Sequence, residues 1–318
     1  MLRIFYIKTE GGLTWEKNPD AIHPSNCGRM VWVDMQSSDE EERKRVESTF
    51  GIELFTPQEA AEIESSSRYF EDEESIEANN AFIVHESKTY AAVQISFILK
   101  KDILFTVRNE DIRSFAETVR KLKLLKNTAN LKGTQILLTI LETQIDLDAD
   151  SIEYITKLTN AVSKTLIKEK SYKEDILIQI TELQENTILE RESIVDKQRL
   201  VSSLLKSIAI GDIEKERLRI IIKDVNSLLQ HTEFSFERLE YLQNTFLGLV
   251  NIEQNKVIKI FTVVTVVFMP PTLIASIYGM NFDVMPELRW PYGYALAVFL
   301  MVISSLSFLW FFKKKKWL

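Results

Sequence analysis

The residues best suited to chemistry form a polar stripe inside an apolar segment near the end of the sequence. Seven positions recur at intervals of 3, 4, 3, 4, 3 and 4 residues: Asn255, Ile258, Thr262, Thr265, Met269, Thr272 and Ser276. This spacing places them on one helix face. Five of the seven are polar, whereas most neighbouring positions hold Val, Ile, Phe or Leu. The pattern predicts either the lining of a water-filled pore or a polar seam between packed helices.

A pore along this stripe would need several copies of the chain. Two helices cannot enclose a water-filled path, so a pore requires copies arranged around an axis. Ile258 and Met269 are the apolar members of the stripe, and in a pore they would form constrictions able to gate by dewetting.

The elements that must position the stripe are two long apolar runs. Residues 258–277 contain one charge, Lys259, and residues 291–312 contain none. At ~1.5 Å per helical residue, the first run covers about 30 Å, the thickness of a hydrocarbon core. We therefore predict two transmembrane helices, over residues 255–278 and 291–312.

Basic residues predict how these helices are oriented. Lysines flank the start of the first run and fill positions 313–316 after the second, whereas the loop of residues 279–290 carries a single Arg. The positive-inside rule then places both termini, including the basic tail of residues 313–318, in the cytosol and the loop outside. Residues 1–13 lack a signal-peptide core. We expect a multi-pass protein of the cell inner (plasma) membrane.

The long N-terminal region predicts a cytosolic domain followed by helices. Over residues 1–128, short runs rich in β-branched and aromatic residues alternate with helical stretches, which indicates a layered α/β domain. The runs are Leu2–Lys8, Met30–Asp34, Ala81–His85, Tyr90–Leu99 and Ile103–Arg108. Capping boxes beginning at Ser38 and Thr56 mark helix starts. Residues 129–254 lack proline and repeat apolar residues at helical spacing, which predicts packed helices and a long stalk.

Composition argues against several classes of function. The net charge of −7 disfavours nucleic acid as a partner. The three histidines, His23, His85 and His231, lie far apart, and a single Cys27 excludes an internal disulfide. The sequence has no phosphate-binding glycine loop and no nucleophile–base pair, so it indicates neither an enzyme nor a resident cofactor.

The predicted external loop resembles a family signature. The motif Tyr278-Gly279-Met280-Asn281-Phe282, followed by Met285-Pro286-Glu287-Leu288, resembles the signature of the CorA family of magnesium channels. Phe268-Met269-Pro270 and the terminal residues 313–318 resemble that family as well. The resemblance is strongest over residues 251–318 and rests on architecture elsewhere.

The resemblance implies an architecture and a function. It implies an α+β membrane protein with an N-terminal α/β cytosolic domain, a long helical stalk and two C-terminal transmembrane helices, assembled as a funnel-shaped homopentamer. The implied function is magnesium uptake driven by the membrane potential and closed by intracellular magnesium bound between neighbouring cytosolic domains. The partners would be Mg²⁺, with Co²⁺ or Ni²⁺ as further ions, the lipid bilayer and other copies of the chain. No cofactor is implied beyond the transported and regulatory Mg²⁺.

Roles at the outer entrance follow from the same resemblance. Asn281 of each copy would form the ring that first holds the hydrated ion. Gly279 would supply backbone freedom for the turn, and Met280 would pack within the turn rather than contact the ion. Asp283 and Glu287 would raise the local cation concentration, with ordinary solvated loop charges as the competing interpretation.

Roles deeper in the assembly are implied by position on the helix. Thr272 and Asn255 would form polar rings, while Met269 and Ile258 would form the hydrophobic gate. Asp224 on the stalk is the candidate ligand for regulatory metal, and a simple surface charge is the competing interpretation.

Two other readings of the sequence stay open. A transporter of the same fold that prefers cobalt, nickel or zinc would share the loop, although a stripe without thiolate or imidazole favours a hard cation. A membrane-tethered scaffold or signalling protein would use the two helices only as an anchor. That second reading gives no reason for the polar stripe or for the loop at Asn281.

Overall fold

The computed structural model describes residues 1–8, 12–17, 30–55, 68–86, 89–125, 128–168, 174–281, 283 and 285–315. Cys27, His23 and the capping box at Thr56 lie outside these residues, as do Phe282 and the last three residues of the tail. The chain divides into two compact units, residues 1–243 and residues 244–318.

The described residues form strands and then helices in a simple order. The elements are β1 (Leu2–Ile7), β2 (Leu13–Glu16), β3 (Met30–Gln36), α1 (Glu40–Phe50), β4 (Tyr69–Glu71), β5 (Ser75–Glu86), β6 (Thr89–Lys100), β7 (Ile103–Arg108), α2 (Arg113–Lys123), α3 (Gly133–Lys168), α4 (Glu174–Lys206), α5 (Asp212–Tyr278), a 3₁₀ turn (Pro286–Arg289) and α6 (Gly293–Lys314).

The strands of the first unit form one sheet in the order β2-β1-β3-β7-β6-β5-β4. The pair β3–β7 is parallel, and the other neighbours are antiparallel. Strands β6 and β7 are joined by the two-residue turn Lys101–Asp102, in which both residues have positive φ. This turn geometry matches the twist of an antiparallel hairpin. Strands β5, β6 and β7 therefore follow one another without the intervening helices that the sequence pattern suggested.

Both faces of the sheet are covered by helices. One face packs against α1 around Val46 and Phe105. The other packs against α2, α3 and α4 around Trp32, Phe97 and Leu137. This arrangement confirms the layered α/β domain, because each apolar face of the sheet is buried under a helical layer.

The cap of α1 differs from its prediction by one residue. The capping box placed the cap at Ser38, but Asp39 occupies that position, and its carboxylate accepts a hydrogen bond from the Glu42 amide at 2.7 Å. The prediction of Ser38 is wrong because the Asp39 carboxylate caps the helix through the Glu42 amide instead of the Glu41 amide, and it carries a charge that suits the helix start.

The three long helices of the chain have 36, 33 and 67 residues for α3, α4 and α5. Their length agrees with the proline-free sequence over residues 129–254. The apolar repeat of the sequence within α3 is buried at seven of its eight positions, but Leu158 is 37 % exposed and Thr159 is buried beside it. The eight positions are Leu138, Leu141, Ile145, Ile152, Ile155, Leu158, Val162 and Leu166. The hydroxyl of Thr159 donates to the Ile155 carbonyl, so a polar residue is tolerated at this buried position.

Candidate ion pathway

Two helices of the second unit are long and apolar enough to cross a membrane. They are the C-terminal part of α5 and the whole of α6, and only 11 % of the most apolar 18-residue window is buried in each. The 22 residues of α6 alone span about 33 Å. A helix that is apolar but unburied fits a lipid environment better than a soluble core.

The helices α5 and α6 pack through a small apolar contact. Val263 and Val267 of α5 and Phe312 of α6 are buried together. Val267 lies nine residues after Ile258, which is about 180° around a helix of 3.6 residues per turn. The contact with α6 is therefore on the face of α5 opposite the polar stripe.

The stripe itself is exposed in the isolated chain. All of its seven members, from Asn255 to Ser276, are solvent-exposed. Its apolar members Ile258 and Met269 are 61 % and 60 % exposed. The structure thus brings the stripe residues onto one continuous face, and that face is not used to bind α6. A polar seam between the two helices of one chain is excluded.

The hydroxyl groups of the stripe bond within their own helix. Thr262 donates to the Ile258 carbonyl at 2.8 Å, and Thr272 donates to the Phe268 carbonyl at 2.7 Å. Thr265 makes the same contact one turn along, at 2.9 Å. Each hydroxyl proton is occupied, but the hydroxyl oxygen still has lone pairs that accept hydrogen bonds. Such a face offers acceptors to the water shell of a cation.

The stripe ends at the predicted ion entrance. Helix α5 ends at Tyr278, and the Gly279 amide still donates to the Ala275 carbonyl at 2.9 Å. Met280 and Asn281 follow directly and are exposed. The φ of Gly279 is not positive, and the role of its backbone freedom at the turn stays a prediction.

The loop after Asn281 carries the two predicted acidic residues. Asp283 and Glu287 are exposed, and Glu287 lies in the 3₁₀ turn of Pro286–Arg289. The Glu287 carbonyl sits against the α-carbon of Gly293, where any side chain would clash. Trp290 and Tyr292 contact edge to face, with ring centroids 6.0 Å apart. Gly293 therefore lets the turn close tightly onto the start of α6.

Asp224, the candidate regulatory ligand, lies in the other unit. It is exposed on α5. Within the described part of the chain, no group of three or more His, Cys, Asp or Glu residues is placed to hold a metal ion. Asp224 is therefore not part of such a group among the described residues of one copy.

Comparisons with known proteins identify the family of this chain. The family model for the CorA-like Mg²⁺ transporter protein matches residues 28–314. The chain belongs to the CorA-like Mg²⁺ transporter family. A relative named magnesium transport protein CorA, from Wolinella succinogenes, is 42 % identical over 325 residues and is covered along 100 % of both chains. A relative of the same name from Salmonella typhimurium is 36 % identical over 293 residues, covering 91 % of this chain and 92 % of that protein.

The CorA fold is also found by structural comparison. The complete structure of the CorA magnesium transporter from Methanocaldococcus jannaschii matches with a TM-score of 0.81 at 19 % identity, covering 100 % of this chain and 99 % of that one. This likeness confirms the fold that the sequence predicted: an N-terminal α/β domain, a long helix and two apolar C-terminal helices.

The sequence analysis did not predict one buried polar cluster of this CorA-like chain. In the first unit, Lys197 is fully buried and pairs with Asp148 at 3.0 Å. Beside them Glu190 is also fully buried and accepts a hydrogen bond from the Ser151 hydroxyl. Glu190 and Lys197 are seven residues apart, so both lie on the apolar face of α4. Two charged residues on an apolar helix face are the feature of the sequence from which this cluster could have been predicted. Charged residues on a buried face normally indicate a paired cluster.

Proposed function

We propose that this chain is one subunit of a homopentameric magnesium channel whose pore is lined by the polar stripe of α5. The observation that carries the proposal is the continuous polar face of α5, which lies opposite the contact with α6 and leads to Asn281. A polar face in a lipid-exposed helix is costly unless it meets water or protein, so other copies must cover it. Relatives named magnesium transport proteins support Mg²⁺ as the ion.

The proposed selectivity site is the ring of Asn281 side chains, with Gly279 and Met280 shaping the turn before it. Magnesium loses its water shell reluctantly. Neutral amide and carbonyl oxygens can hydrogen-bond the water shell of the ion without replacing it. Met280 is assigned to packing of the turn and not to ion contact.

The stripe residues would divide the pore into sections lined by polar side chains and sections lined by apolar ones. Thr272, Thr262 and Asn255 would form polar rings that accept hydrogen bonds from the hydrated ion. Met269 and Ile258 would form apolar constrictions, which close by expelling water rather than by plugging the pore.

Ions would be drawn to the pore by charge and driven by voltage. Five copies of Asp283 and Glu287 at the external loop would raise the local cation concentration. With both termini in the cytosol, uptake would follow the membrane potential. A divalent ion gains about 4.6 kcal/mol per 100 mV, from ~2.3 kcal/mol per elementary charge.

Closure would come from intracellular magnesium bound between cytosolic domains of neighbouring copies. An ion that binds the closed state more tightly shifts the population toward it, which makes uptake self-limiting. Asp224 is our candidate ligand, because it is exposed and free to meet ligands from a neighbour.

The test is magnesium influx into liposomes that contain the purified full-length protein, followed with a fluorescent indicator at a set membrane potential. We expect influx that requires a negative interior and falls at least tenfold in Asn281→Ala. The control is Tyr294→Phe, a conservative change at an exposed aromatic residue near the start of α6, which should leave influx unchanged.

Each outcome separates one reading from another. Influx unaffected by Asn281→Ala would refute the selectivity site but would not contradict the proposal that the protein is a channel. Influx of Co²⁺ or Ni²⁺ but not Mg²⁺ would favour the same fold with another ion. No flux of any of the three ions at any internal magnesium level would support the tethered-scaffold reading.

A further inference from the structure

The proline pair of α5 leaves backbone carbonyls without their helical donors. Helix α5 runs without interruption from Asp212 to Tyr278, with Pro270 and Pro271 inside it. In an α-helix the amide of residue i+4 donates to the carbonyl of residue i, and proline has no amide hydrogen. Pro271 therefore cannot donate to the Val267 carbonyl.

Ser305 of α6 reaches this carbonyl from the neighbouring helix. Its Oγ lies 3.3 Å from the Val267 carbonyl oxygen. Ser304, one residue earlier, instead donates to the Met301 carbonyl of its own helix at 2.8 Å. Ser305 thus makes a bond between helices at the carbonyl that Pro271 leaves free.

The hydrogen bond between Ser305 and Val267 lies in an apolar environment, where losing it would be costly. Val267 is buried in the contact between α5 and α6, among Val263 and Phe312. An unpaired carbonyl in hydrocarbon is expensive, because no water is present to replace the missing donor. A hydroxyl that donates across the contact satisfies the carbonyl and ties the two helices at that level.

The geometry points to Ser305 as a positioning residue for the pore helix. It supplies the donor that Pro271 removes, and so fixes the segment of α5 that carries Met269, the proposed constriction two residues beyond Val267. The inference that Ser305 positions the pore helix rests on the proposed function. The hydrogen bond between Ser305 and the Val267 carbonyl does not depend on that proposal.

A double-mutant cycle tests the inference in the full-length protein. Ser305→Ala removes the donor, and Pro271→Ala returns a backbone amide to the Val267 carbonyl. We expect Ser305→Ala alone to lower the thermal unfolding midpoint by several degrees. In liposomes it should raise the residual influx at saturating internal magnesium at least threefold. In the Pro271→Ala background the same change should have little effect on either measurement.

Two controls separate positioning from general damage. Ser305→Thr keeps a hydroxyl and should behave like the natural protein, and Ser304→Ala should change neither measurement. An equal effect of Ser305→Ala in both backgrounds, or an effect no larger than that of Ser304→Ala, would overturn the inference. If no variant conducts ions, the proposed function fails, but the unfolding midpoints still decide whether Ser305 compensates for Pro271.

Discussion

The buried cluster of α3 and α4 holds one cation and two carboxylates. Lys197 pairs with Asp148, whose other oxygen accepts from the Gln144 amide at 2.8 Å. One oxygen of Glu190 accepts from Ser151, and the other has no hydrogen-bond partner among the described residues. A second buried negative charge would be unpaired, which is costly in a protein interior. Burial and then the charge of Asp148 raise the pKa of Glu190 to about 8.

This raised pKa makes the stability of the first unit depend on pH. The folded state keeps the proton of Glu190 where the unfolded chain, with an ordinary carboxyl pKa of about 4.3, has lost it. The free energy of unfolding therefore falls as pH rises from about 5 to 8, by at most about 1.4 kcal/mol per pH unit from this group, and levels off above its folded pKa. We expect Glu190→Gln to remove this slope.

The measurement is the thermal unfolding midpoint of the purified protein between pH 5 and 9. Glu190→Gln should match the natural protein near pH 5 and exceed it increasingly up to pH 8. The control is Glu192→Gln, a change of the same chemistry at an exposed position of the same helix, which should keep the natural slope. Parallel curves for the natural protein and Glu190→Gln would show that this carboxyl is not the group that titrates.

At the scale of elements, the start of α3 depends on a glycine that touches the sheet. The Gly133 amide donates to the Asp102 carbonyl at 2.6 Å. An added Cβ would lie 2.5 Å from the Leu104 amide nitrogen and 2.7 Å from the Ile103 carbonyl carbon. These neighbours are backbone atoms of β7 and its turn, so they cannot move aside as a side chain would. The close approach of helix and strand requires glycine here.

Two glycine-to-alanine changes should therefore have opposite effects. Gly133→Ala forces the start of α3 away from β7 and should destabilise the protein by about 1–3 kcal/mol, as overpacking does. Gly248→Ala lies inside α5, where no atom of the described part of the chain comes within 4 Å of the added Cβ, and should stabilise that helix by up to about 1 kcal/mol. Chemical unfolding of both variants measures this, and an equal effect of the two changes would contradict the contact described at β7.

The helix α5 explains why the stripe stays in register. A helix of 67 residues without a break keeps the 3-4 spacing of polar residues on one face throughout. The prolines at 270 and 271 do not end it, because neighbouring groups such as the Ser305 hydroxyl can satisfy the carbonyls that they leave free.

At the scale of the whole molecule, the exposed stripe indicates that other copies of the chain surround it. If copies meet around an axis, Met269 of one chain lies near Met269 of the next. We expect Met269→Cys, in a background with Cys27→Ser, to form disulfide-linked dimers readily in the membrane. Val302→Cys, at a position of α6 that is 51 % exposed and proposed to face lipid, should form far fewer.

Denaturing gels without reductant measure the cross-link, and native mass measurement should give five copies of the 36.9 kDa chain. Equal cross-linking at positions 269 and 302 would contradict a pore along the stripe. A monomeric mass would contradict the assembly.

Much of this protein was determined by local sequence pattern. The apolar runs predicted both C-terminal helices because spanning a membrane requires about 20 apolar residues in a row. The 3-4 spacing predicted the stripe because it depends only on helical periodicity. The motif at Asn281 identified the family because it stands directly after the first of these helices, and the family comparison confirmed it.

Only the tertiary structure decided which faces and groups meet. It placed α6 on the side of α5 opposite the stripe, through Val267, and brought Ser305 to the carbonyl that Pro271 leaves free. It also brought Glu190 next to Asp148, 42 positions away in the sequence. These contacts join residues distant in the chain, and their energies depend on burial and distance. Periodicity along one helix carries no information about either.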